Sequence, residues 1–90
     1  MNQTNVQNMK GASGGVVPNQ FEIFTEKGKY FQSYSTIIAF KPFSGKVQLD
    51  REKWDYSQTT RKYRNLFLRE TSQEIKNKIK GGEYILTDLN

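Results

Sequence analysis

The hydrophobic period of this chain changes at Trp54, and that change constrains the fold more than any single residue does. Before it, apolar residues come in short aromatic and β-branched runs separated by Gly- and Pro-containing turns. Phe21-Glu22-Ile23-Phe24-Thr25 is one run, and Lys27-Gly28-Lys29 follows as a turn. Tyr30 through Phe40 reads as a long strand. Pro42 and Ser44-Gly45 mark a second turn, and Lys46 to Asp50 alternates as a strand with one wet face does. Three such runs joined by short turns predict an antiparallel meander.

After Trp54 the period is helical. Ser57 or Thr59 can cap a helix whose apolar stripe is Tyr63, Leu66 and Phe67, at i, i+3 and i+4. Thr71-Ser72-Gln73-Glu74 matches a capping box, so a second helix starts there, with Ile75 and Ile79 on its buried side and Gly81-Gly82 at its end. Tyr84 to Thr87 is a last strand, returning to the sheet. The predicted order is βββ-αα-β: an α+β domain over residues 20–90, an antiparallel β-sheet with two short helices packed on one face. Residues 1–19, rich in Asn, Gln, Gly and Ser, read as a disordered N-terminal tail.

Composition narrows the chemistry. The chain has 90 residues, no Cys and no His. Disulfides, thiolate nucleophiles, Cys-based zinc sites and the usual catalytic triads are therefore excluded. Asp50, Glu52 and Asp55 match no cation-ligand spacing and alternate with Arg51 and Lys53. The expectation is a non-enzymatic protein without metal or cofactor. No apolar run is long enough for a membrane span, and residues 1–5 lack the charged-then-apolar pattern of a secretory signal, which predicts a cytoplasmic protein.

The net charge of +5 is unevenly placed. Residues 59–80 hold seven Lys or Arg against two Glu, whereas residues 20–58 are nearly balanced. A focused positive field attracts nucleic acid or an acidic protein surface. Arg61, Lys62, Arg64 and Arg69 on the first helix, with Lys76, Lys78 and Lys80 on the second, are the candidate phosphate contacts. Tyr34 and Tyr56 are the candidate stacking rings. Trp54 reads either as a stacking platform beside Tyr56 or as a core anchor. Rings flanked by Lys and Arg favour nucleic acid, whereas an apolar patch with charge only at its rim favours a protein.

Ser33-Tyr34, the stretch Trp54-Asp55-Tyr56-Ser57-Gln58-Thr59-Thr60-Arg61-Lys62-Tyr63-Arg64-Asn65-Leu66-Phe67-Leu68, and the ending Ile79 to Asn90 carry a resemblance. Together they resemble small proteins of bacteriophages and mobile elements that share a W-x-Y-S-x-T-T-x-K-Y-x-x-x-F-L pattern. The resemblance covers roughly residues 30–90. It implies a phage or prophage context, in the cytoplasm of an infected or lysogenic bacterium, and transfers no site residue. The resulting expectation is a phage-type accessory protein that binds nucleic acid with little sequence preference. Its alternative is a non-enzymatic inhibitor or modulator that contacts a host enzyme or defence complex.

Overall fold

The structure is a computed structural model and describes residues 4–90. Five strands run in chain order: β1 (Asn5–Lys10), β2 (Val16–Thr25), β3 (Gly28–Ser33), β4 (Thr36–Pro42) and β5 (Val47–Asp50). Two helices follow, α1 (Gln58–Leu68) and α2 (Ser72–Lys80), and then β6 (Tyr84–Thr87). All six strands form one sheet whose spatial order is the order in the chain.

The small α+β fold is as the sequence predicts, with three differences. First, the sheet is mixed. β1 to β5 are an antiparallel meander, but β6 lies parallel to β5, pairing Val47 with Tyr84 and Leu49 with Leu86. The helical crossover causes this, because it carries the chain back to the end of the sheet where β5 began. Second, the tail expected over residues 1–19 contains β1 and the start of β2, while residues 1–3 lie outside the described residues. The Gly-rich run is the turn between these strands, closed by Gly14 N–H on Gly11 O (2.9 Å) and Gly11 N–H on Gly15 O (2.8 Å). β1 has little intrinsic strand character. The ladder to β2 and the burial of Met9 in the core hold it in place.

Third, the single strand expected over Tyr30–Phe40 is a hairpin. The chain reverses at Tyr34-Ser35, where Tyr34 adopts φ 56° and donates its N–H to Asn19 O at 2.7 Å. A left-handed conformation at a residue with a Cβ costs roughly 1 kcal/mol. No Gly, Asn or Pro announces the turn. The β2–β3 turn does follow the sequence: a Cβ on Gly28 would stand 2.4 Å from Lys41 O, so only glycine fits.

Both helices lie on one face of the sheet, and the core forms between the layers. Phe31, Ile38, Ala39 and Leu49 come from strands, and Phe67, Leu68 and Ile75 from helices; Phe31 and Phe67 stack at 5.8 Å. Ser57 caps α1, its Oγ accepting from Thr60 N–H at 3.1 Å. The capping box of α2 forms in both directions, between Thr71 and Glu74. α1 is rotated from its expected setting. Its buried side is Thr60, Arg64, Phe67 and Leu68, Tyr63 is half-buried, and Leu66 is 47 % exposed. Thr60 and Arg64 complete the i, i+4 stripe because their polar groups are bonded inside the fold, a pattern that hydrophobicity alone does not register.

Candidate nucleic-acid interface

Arg64, expected as a phosphate contact, is unavailable for one. Its side chain is 0 % exposed. One terminal nitrogen donates to Trp54 O (2.8 Å) and Asp55 Oδ1 (3.0 Å), and the other donates to Asn65 Oδ1 (2.9 Å) and Ser72 Oγ (3.1 Å). Nε donates to the same Asn65 oxygen at 3.2 Å. The guanidinium also lies over the Trp54 ring at 5.1 Å, so that ring is a core anchor rather than a stacking platform. Burial lowers the Arg64 pKa, and the hydrogen bond and charge of Asp55 oppose that shift. Arg64 thus ties the 54–57 segment to α1 and to the start of α2.

Lys78 is also partly withdrawn. It pairs with Glu70, which accepts as well from the Tyr84 hydroxyl. The bond to Glu70 is the main cause of the raised Lys78 pKa. Burial, and then the bond to Glu70, push the Tyr84 phenol up to about 12. The remaining candidates are exposed. Lys62, Arg69, Lys76 and Lys80 make no salt bridge among the described residues. Lys62 and Arg69 flank a cleft of about 550 Å³ between Gly11-Ala12 and the α1–α2 junction, with Leu66 in its wall. Arg69 caps α1 in a left-handed conformation, φ 57°.

The two candidate rings share one end of the molecule. Tyr34 is 57 % exposed and Tyr56 47 %. A chain of hydroxyls joins their neighbours: Ser57 Oγ donates to Thr60 Oγ1 (2.9 Å), which donates to Ser33 Oγ (3.4 Å). Tyr34 follows Ser33 and Tyr56 precedes Ser57, so this contact between β3 and α1 brings the segments that carry the two rings to one end of the molecule. Arg61 is on the same side, its Nε 3.3 Å from Ser57 O and 3.7 Å from Asp55. Lys53, not among the expected residues, stands over the Tyr56 ring at 5.1 Å. The i, i+3 spacing of Lys53 and Tyr56 was the available signal for it.

The expected residues therefore separate into groups. Tyr34, Tyr56 and Arg61 come together, with Lys53. Lys62 and Arg69 line the cleft farther along α1, Lys76 and Lys80 lie on α2, and Arg64 is structural. The carboxylates also have local roles. Asp50 accepts from the backbone amides of Leu89 (2.9 Å) and Lys53 (3.0 Å), and Asp55 accepts from Arg64. Among the described residues, no group of three or more carboxylates is arranged to hold a metal ion.

These features define a small two-layer α+β domain with an aromatic and cationic end and no helix, among the described residues, long and apolar enough to cross a membrane. The chain belongs to a family of unknown function, DUF8033, whose model matches residues 4–84. No curated protein and no solved structure matches it.

Proposed function

We propose that this protein is a phage-type accessory protein that binds single-stranded nucleic acid with little sequence preference, through the end formed by Tyr34, Lys53, Tyr56 and Arg61. The observation that supports the reading is the Ser57–Thr60–Ser33 hydroxyl contact, which joins the segments carrying two half-exposed rings, Tyr34 and Tyr56, and two cations, Lys53 and Arg61. Rings offer every base a π-face, and cations beside them neutralise phosphates without reading sequence. The left-handed backbone at Tyr34 adds support: a turn that glycine would make at less conformational cost instead presents a large exposed ring. Arg69, Lys76 and Lys80 would extend the positive field and speed encounter. The experiment is fluorescence anisotropy with labelled single-stranded and duplex oligonucleotides across a salt series. Each phosphate contact adds about 0.7 to the log–log salt slope on a single strand, so removing Lys53 and Arg61 by alanine should lower it by about 1.4. An unchanged slope would remove both from the interface.

A further inference from the structure

The sheet face away from the helices carries one uncharged stripe across all six strands. The register aligns Val6, Ile23, Tyr30, Phe40, Gln48 and Ile85 as successive direct partners. Tyr30 and Phe40 stack at 4.2 Å in its middle, and Val6 and Ile85 at its two ends are about half exposed. The flanking positions of the same face are Asn8, Phe21, Gln32 and Ile37 on one side and Thr25 and Pro42 on the other. In a chain with 23 charged residues, this face takes two: Asp50, which is buried and bonded to backbone amides, and Lys10, exposed at the end of β1. Charge appears at the rim. One end has a cleft of about 400 Å³ with Lys27 and Lys46 beside Glu26. The opposite end has a cleft of about 530 Å³ with Asp50, Glu52 and Asp88 beside Lys53.

We infer that this face packs against the same face of a second copy, about a twofold axis running along the stripe. A face with a single cation, Lys10 at its β1 corner, does not suit phosphate or an anionic lipid surface. A second copy presents the same uncharged stripe, and most of its +5 charge then stays clear of the contact. A twofold along the stripe reverses the strand direction. It lays each strand over its own copy, Val6 over Val6 and Ile85 over Ile85, and brings Lys46, which precedes β5, to the end of the other copy's β5 that Glu52 follows. Both the apolar row and the rim charges are thus self-complementary, as an isologous interface requires. Six strands spaced about 4.8 Å apart and about 17 Å long give a face of roughly 500 Å². Two such faces bury on the order of 1,000 Å² in total, the lower limit for a specific interface. An interface at that limit is of the weak, transient class, so the dimer forms as protein concentration rises. This inference rests on different observations from the nucleic-acid reading, and Lys53 at the rim is the residue the two share.

Sedimentation velocity of the full chain over a wide concentration series tests it. The expected result is a mass rising from 10.5 kDa towards twice that value. Val6→Lys and Ile85→Lys replace side chains already in water, so the fold tolerates them, and each would set two lysines against each other across the axis. Each is expected to weaken the dimer at least tenfold. Lys46→Glu should also weaken it, and adding Glu52→Lys should restore it. A chain that stays monomeric throughout leaves the face to a different protein and overturns the inference. A dimer indifferent to both lysines is held by another surface, β1 at the sheet edge being the first suspect, and overturns it equally.

Discussion

Replacing Arg64 by alanine removes a guanidinium that ties together three segments. Sequence reading makes Arg64 a surface cation, and surface substitutions usually change stability by no more than about 0.5 kcal/mol. The structure gives a different magnitude. Breaking a buried ion pair costs about 3–5 kcal/mol, because the remaining charge and acceptors lose their partners. Asp55 is 28 % exposed, so water recovers part of that loss, and the lower limit of about 3 kcal/mol applies. In a domain this small each kcal/mol moves Tm by about 4–8 °C, so the expected fall is roughly 12–24 °C. Arg64→Lys keeps the charge but cannot reach Trp54 O, Asp55, Asn65 and Ser72 together, and should fall between the two. Thermal unfolding followed by circular dichroism measures both. An Arg64→Ala protein that melts within a few degrees of the parent and loses nucleic-acid binding instead would refute the buried assignment.

Other outcomes follow from the same contacts. Tyr34→Gly relieves the left-handed backbone, so stability should hold or rise by up to about 1 kcal/mol, while oligonucleotide affinity falls by about 1–3 kcal/mol for the lost stack; equal affinity would take Tyr34 out of the site. Burial pushes the Asp50 carboxyl up, but bonds from Leu89, Asn90, Lys53 and Glu52 outweigh it and hold its pKa below the ordinary value. Its stabilisation is therefore present above about pH 4, the unfolded value, and is lost as pH falls through the depressed folded one. Urea midpoints measured down the acid range should show Asp50→Asn with a shallower decline than the parent, and parallel declines would count against the clamp. The Tyr84 phenol, raised to about 12, keeps its proton in the fold while the unfolded chain ionises near 10. Stability present below about pH 10 should thus fall between 10 and 12, less so in Tyr84→Phe.

Much of the fold was legible because local chemistry and global structure agree. The capping box at Thr71, the cap at Ser57 and the turn at Gly28 each satisfy a backbone requirement that few residues meet. The missed features are those that tertiary contacts impose. Tyr34-Ser35 turns the chain without Gly, Asn or Pro, because the β3–β4 ladder and the bond to Asn19 compensate the strain. β1 is polar at four of its six positions and exists through its pairing with β2 and the burial of Met9. Arg64 counts as surface in any hydrophobic pattern, yet with its donors bonded and its plane over Trp54 it behaves as core, and that turns Leu66 outward. The candidate site was legible in its residue types but not in its grouping. Proximity of Tyr34 to Tyr56 depends on one contact between residues 27 positions apart in the chain, Ser33 and Thr60.

Amide chemical-shift mapping during titration with a short single-stranded oligonucleotide tests the central claim most directly. The account expects saturable shifts concentrated in Ser33–Thr36 and Lys53–Arg61, with little change along Ile23, Tyr30, Phe40 and Ile85. Shifts confined to that outer sheet face, or no shifts at all at near-physiological salt, would contradict it.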